Sequence, residues 1–294
     1  MHISVTTDEL RAKKLSPIHL EETVKAINED GYVIIENVVP HEPLDILKEK
    51  MDQDSEILIK SEKWGGAGHL HGHLQQGPPP FAPYVFSEIV ANPFIIQVSK
   101  ALFGEGIFNS FYNGNTNCPE SLKQPLHMDG KHLWPHLEVS HPPVSVVINI
   151  SPTDTNEENG SVELWPGTHL IGSTPSPMTT EIEETRRQII PPIRGNARKG
   201  SVLIRDVRLW HRGVPNQSSQ IRHMIAMIHH IGWWRRGRAL TFNRGSESAF
   251  LACDLDHNAV FTDEPIDYLF LQKNCSSKKK SNLPLESTVN SHPQ

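Results

Sequence analysis

The sequence predicts a mainly β chain with flanking helices, closed into a jelly roll or barrel. Short apolar runs at 107–112, 144–150, 161–165, 201–204 and 222–231 are separated by Pro, Gly and Asn turns, the punctuation of an antiparallel β-protein. Helical spacing is confined to the N-terminal third and one later insertion. The length, 294 residues, suits one compact unit, because barrel domains of this size commonly fold as one. A single domain is therefore expected over residues 1–272, with a helical N-terminal part.

Taken in order, residues 20–29 carry Leu20, Val24 and Ile27 on one helical face and stop at Asp30-Gly31. Residues 32–35 (Tyr-Val-Ile-Ile) read as a strand, 44–58 as a second helix, and 85–103 as containing a third that ends at Gly104. Between the last two lies a Gly-, His- and Pro-rich loop, 63–83. Its Gly68-His69-Leu70-His71-Gly72-His73 tract could bind metal or act as a flexible lid; the lid reading brings His71 or His73, and with them Phe81, to a pocket. The strands listed above follow, interrupted by a helical insertion at 179–190. Residues 273–294, with Lys278-Lys279-Lys280 and no apolar periodicity, read as a disordered tail. No internal repeat is visible.

Charge and cysteine usage exclude several classes. A net charge of −6 with no extended basic face argues against a nucleic-acid partner. Three widely spaced cysteines, Cys118, Cys253 and Cys275, with no CxxC, suit a reduced protein without a disulfide frame or zinc finger. No apolar stretch is long enough to span a membrane, the N-terminus lacks a signal-peptide core, and the C-terminus is not the peroxisomal tripeptide. A cytoplasmic enzyme acting on a small molecule is expected, without a membrane or nucleic-acid partner; a homodimer is compatible with the sequence.

The chemistry gathers at His127-Met128-Asp129, His211 and Arg222. Residues i and i+2 on an extended strand face the same way, about 6–7 Å apart. A His and an Asp so placed can grip one side of a metal ion, and one distant His would complete the two-histidine, one-carboxylate facial set of non-haem Fe(II) oxygenases. His-x-Asp alone is weak evidence in a chain with 17 His and 34 acids. A lone His after a strand is more often structural, and a lone Arg beside an apolar run more often a snorkelling edge residue. The ordered set carries more weight. Segment 124–130 is bounded by Pro and Gly as a rim strand should be, and His211 follows the apolar run 202–206. Arg222 opens the apolar run 224–228 with no obvious acidic partner in the sequence. A buried guanidinium there asks for a carboxylate, which a dicarboxylate co-substrate would supply.

These residues, with Gln124 three positions before His127, Asn159-Gly160, Trp165-Pro166-Gly167-Thr168-His169, and Arg222 eleven residues after His211, resemble the phytanoyl-CoA dioxygenase family from about Asp30 to Gly232. That resemblance implies a double-stranded β-helix and a dioxygenase using Fe(II), 2-oxoglutarate and O2. It implies iron on His127, Asp129 and His211, and the distal 2-oxoglutarate carboxylate on Arg222. Gln124, and by a weaker match Asn113, are implied to contact the same co-substrate. Some members carry Ser two residues after the distal His; here Gly213 stands there, so that contact is either lost or supplied from elsewhere, with Thr168 as the candidate. The implied reaction oxidises an unactivated C–H bond: hydroxylation, or desaturation or cyclisation through the same ferryl intermediate, in a secondary-metabolic setting. Asp129 disfavours halogenation, which needs that metal corner free.

Trp134, just after the metal motif, could wall the site or be an ordinary core residue. Trp233, in Trp233-Trp234-Arg235-Arg236, could grip substrate or be a surface patch. Two other classes remain open: a zinc or nickel cupin hydrolase or isomerase, and a non-catalytic ligand-binding barrel. The Arg222 spacing weighs against the first and the intact triad against the second.

Overall fold

The computed structural model describes residues 1–61, 70–172, 178–235 and 237–270. The expected tail at 273–294 and His69 of the histidine tract lie outside them. Twelve strands and six α-helices are present among the described residues. In chain order the early elements are β1 (His2–Ser4), α1 (Thr7–Ala12), α2 (Pro17–Glu29), β2 (Tyr32–Glu36), α3 (His41–Lys60), β3 (His73–Leu74), α4 (Ser87–Val90), α5 (Pro93–Phe103) and β4 (Phe108–Asn117). Then follow β5 (Ser145–Ile150), β6 (Glu163–Leu164), α6 (Thr180–Ile189), β7 (Ile193–Arg194), β8 (Val202–Asp206), β9 (His211–Arg212), β10 (Arg222–His230), β11 (Leu240–Asn243) and β12 (Ala259–Thr262).

Seven strands form the major sheet in the order β1-β2-β8-β5-β10-β4-β3, and three form a minor sheet, β7-β6-β9. This is a double-stranded β-helix with helices on one outer face. Period-two alternation divides the major sheet. Val146, Ile148 and Ile150 of β5, Val202 and Ile204 of β8, and Ile225 and Met227 of β10 enter one core with residues of α2, α3 and α5. The intervening residues, Val147 and Asn149, Arg205, and Arg222, Met224, Ala226 and Ile228, line a cavity on the other face. Burying an apolar side chain contributes roughly 1.5–3 kcal/mol, so the helix face carries most of the stability.

Local rules explain the boundaries. Ser16 caps α2, its hydroxyl accepting from His19 N at 3.2 Å, with Pro17 at the first helical position. The region 85–103 holds two helices because Asn92-Pro93 interrupts it: Pro93 cannot continue α4, and the Asn92 side chain caps α5 by accepting from Phe94 N and Ile95 N. The inserted helix expected at 179–190 is α6, between β6 and β7.

One expectation is corrected here. Part of the presumed lid is sheet, since β3 pairs with β4 in the register His73↔Asn117 and Leu74↔Thr116. It is the edge strand of the major sheet, pinned by the Gln76 side chain, which donates to Met51 O of α3 at 2.7 Å.

Candidate metal centre

His127 and His211 face each other across the rim. Their backbones exchange two hydrogen bonds, His127 N to His211 O at 3.1 Å and His211 N to His127 O at 3.0 Å, an antiparallel pair that brings the ring centroids to 4.4 Å. Asp129 N donates to Val207 O at 3.0 Å and continues the pairing. One ligand atom each from His127, Asp129 and His211 lies within 4.8 Å of the others, and no other such trio occurs among the described residues.

Protonation favours metal binding. The Nδ1 atoms of His127 and His211 each lie 2.9 Å from a backbone carbonyl, of Pro125 and Leu209 respectively. A carbonyl only accepts, so both Nδ1 atoms carry the proton and both Nε2 lone pairs are left for a metal. Burial, then the nearby Arg205 charge, push His211 down to about 3, so it is neutral at pH 7. Desolvation alone would raise the Asp129 carboxyl, but the Arg205 guanidinium, with His211 and His127, outweighs it and holds the group well below the usual carboxylate range. Two imidazole Nε2 atoms and an ionised carboxylate make a hard/borderline donor set suited to Fe(II).

The triad opens on a cavity of about 250 Å³. Arg222, the first residue of β10, enters its wall and is 6% exposed. Its Nη2 donates to Gly160 O at 2.8 Å, its Nε has no partner, and no carboxylate among the described residues pairs with it. Burial, then repulsion from Arg194, lower the guanidinium to about 10, which leaves it charged at pH 7. An unpaired buried cation costs several kcal/mol unless an anion joins it. Gln124 lines the same cavity, its Oε1 accepting from Gly213 N at 2.7 Å while its buried Nε2 has no partner. A Cβ on Gly213 would come within 2.7 Å of His73 Cε1 and 2.8 Å of Gln124 Oε1. The space a Ser side chain would need is already filled. His73, 2% exposed, lines the cavity and bonds Leu122 O through Nε2 at 2.6 Å; burial lowers its pKa.

Several expected site residues lie elsewhere. The Thr168 hydroxyl is spent on backbone, donating to Trp165 O at 2.7 Å and accepting from Trp210 N at 2.9 Å, so it cannot replace the missing Ser. Asn113 stands opposite Ala226 on the cavity face, but its Oδ1 accepts from Gly114 N and it lines an adjoining cavity beside Gly77; Asn115 is the β4 asparagine of the triad cavity. His71 is exposed and outside the cavity wall. Phe81 packs edge-on against Tyr84 and Tyr268. Trp134 and Trp233 are 46% and 61% exposed, Trp134 against His141 and Trp233 against Trp234, and neither walls the cavity.

Among the cavity residues that the sequence did not single out are Arg205 and Asn149. Arg205, 4% exposed, donates from Nη2 to Asp129 Oδ2 at 2.6 Å and from Nε to Asn149 Oδ1 at 3.3 Å. The available signal was a charge inside an apolar strand, on the same parity as Leu203.

A family model described as Phytanoyl-CoA dioxygenase (PhyH) matches residues 27–224. "Dioxygenase andF" of Emericella variicolor is 24% identical over 150 residues, 49% of this chain and 49% of that protein, so the match spans about half of that relative. "Iron/alpha-ketoglutarate-dependent dioxygenase ausU" of Aspergillus calidoustus is 23% identical over 227 residues, 72% of this chain and 71% of that protein. Among solved structures, the non-heme alpha ketoglutarate dependent carbocyclase SnoK from nogalamycin biosynthesis superposes with a TM-score of 0.55 at 20% identity, covering 75% of this chain and 85% of that one. That last likeness concerns the fold.

Proposed function

The chain belongs to the phytanoyl-CoA dioxygenase family, and from that membership we propose that it is an Fe(II)- and 2-oxoglutarate-dependent oxygenase of a small molecule in secondary metabolism. One observation carries the reading: the triad and the Arg222 guanidinium, which no carboxylate among the described residues meets, open on the same cavity. His127, Asp129 and His211 would hold Fe(II), and Arg222 would hold the distal carboxylate of 2-oxoglutarate. The free Nε2 of Gln124 supplies a further donor at that end.

Bound there, iron and 2-oxoglutarate supply O2 activation and the oxidising power to break an unactivated C–H bond. The chain orients and excludes water. Carbonyls of Pro125 and Leu209 fix the two imidazoles, the strand pairing fixes their separation, and Phe111, Val147, Met224, Ala226 and Ile228 give the cavity an apolar wall. Zinc or nickel cupin chemistry has no use for the buried cation, which weighs against that alternative.

The enzyme acts as one catalytic domain in the cytoplasm on this reading. Free Cys118 and Cys253 suit a reducing compartment, and no helix among the described residues is long and apolar enough to cross a membrane. Equilibrium Fe(II) binding to wild type, His127→Ala and Asp129→Ala tests the metal assignment. One iron per wild-type chain and loss of binding in folded variants is the expected result. Undiminished binding in either variant would remove these residues from the metal site.

A further inference from the structure

The cavity carries more positive charge than iron and 2-oxoglutarate can use. The carboxylate and guanidinium groups of its wall are Asp129, Arg205 and Arg222. On the functional reading above, Fe(II) and the 2-oxoglutarate dianion cancel each other. Asp129 cancels one guanidinium. One buried positive charge is left over, and such a charge is costly unless an anion meets it.

Arg205, whose one carboxylate partner Asp129 is shared with the metal site, lies away from the co-substrate anchor. Arg205 is opposite Val147 on β5, which is opposite Ile228 on β10. Arg222 begins the same β10 strand six residues earlier, about 20 Å along an extended chain. Arg205 therefore rises from the end of the cavity opposite Arg222, beside the metal ligand Asp129.

A second donor accompanies it. Arg205 Nε can only donate, so the Asn149 atom it meets at 3.3 Å is the carbonyl oxygen and the other is the amide nitrogen. That nitrogen is buried and partnerless on a side chain 5% exposed, in a residue of the cavity wall. The surrounding wall is apolar: Val147, Ala226, Ile228 and Phe111.

We infer that Arg205 and Asn149 form an anion subsite for the substrate, which is an apolar molecule carrying a single carboxylate. The acid group lies on Arg205 and the Asn149 amide, and the apolar body lies along the β5–β10 wall. Arg205 thus serves two carboxylates, the ligand Asp129 and the substrate, as a forked guanidinium can.

The test uses the full chain loaded anaerobically with Fe(II) and 2-oxoglutarate. Aliphatic and aromatic carboxylates are titrated calorimetrically, each beside its primary amide of the same shape. The acid of a pair is expected to bind at least about tenfold tighter, the strength of a charge-assisted contact. Arg205→Gln should erase that preference and Arg205→Lys should keep part of it. Equal binding of acid and amide to wild type, no binding by any acid, or a preference undiminished in Arg205→Gln overturns the inference. So does loss of the iron–2-oxoglutarate charge-transfer absorption on adding acid, which means displacement of the co-substrate. If that absorption never forms in wild type, the functional reading itself falls; if it forms without acid preference, only this inference does.

Discussion

The two faces of the major sheet are built from the same strands and do opposite work. Toward the helices, β5, β8 and β10 present Val, Ile and Met packed into one apolar core. Toward the cavity, they present two arginines, an asparagine and a thin apolar wall, with donors left partnerless. One face is satisfied by its own chain, and the other by what it binds. Alternation lets a single strand do both, because neighbouring side chains never share a face.

Substitutions at neighbouring positions should therefore separate stability from binding. The largest effect is expected at the centre of the helix face. Ile148→Ala, fully buried in β5, should cost about 2–5 kcal/mol in chemical denaturation. Fe(II) affinity of the remaining folded protein should stay close to wild type. A cost below about 1 kcal/mol would show that this face does not carry the stability.

One strand over, Arg222→Leu should do the reverse. Its apparent 2-oxoglutarate requirement should rise at least about tenfold, the value of a charge-assisted contact. Metal-free stability should hold or rise, because replacing an unpaired buried cation by an apolar side chain is often neutral or stabilising. An unchanged requirement would remove Arg222 from the co-substrate site. Gly213→Ser tests the crowding beside it. Since His73 and Gln124 fill the space, overpacking of about 1–3 kcal/mol and weaker 2-oxoglutarate binding are expected. A stable Ser variant with tighter binding would mean that those side chains yield.

A separate effect, gradual with pH, concerns acid. Burial holds His229 on the helix face and His211 in the triad down to about 3, against 6.5 when unfolded. Below pH 6.5 the unfolded chain binds protons that the native chain refuses. Stability is thus whole above 6.5 and declines as pH falls toward 3, by up to about 1.4 kcal/mol per pH unit for each histidine. His229→Gln should flatten this decline in metal-free denaturation curves; a decline of unchanged steepness would exclude His229 as a source.

Legibility in the sequence followed the same division. Apolar runs and helical spacing carried the five longer strands and α2, α3, α5 and α6, whereas the six-residue α1 and β1, β3, β7, β9, β11 and β12, two to four residues each, are too short to carry a period. At the site, His127 and Asp129 were visible because a spacing of two fixes a shared face. His211 was visible because it follows a strongly apolar strand, and Arg222 because it opens one. Gln124 and His73 also reach the cavity. Residue type without direction misled elsewhere: Thr168 has the right hydroxyl but spends it on Trp210 N, and Trp134 follows the metal motif yet turns to solvent. Arg205 was overlooked because its partner Asp129 is 76 residues away in the chain, a pairing that only the closed barrel creates.

The most direct measurement of the central claim is optical and anaerobic. Fe(II) and 2-oxoglutarate are added separately and together to metal-free protein, and the visible spectrum is followed for the weak metal-to-ligand charge-transfer band. A band that requires both additions, and is lost in Asp129→Ala, is the predicted result, because it needs 2-oxoglutarate chelated to iron at this triad. Iron bound at one per chain with no band at saturating 2-oxoglutarate would contradict the account and bring the cupin hydrolase or isomerase reading forward.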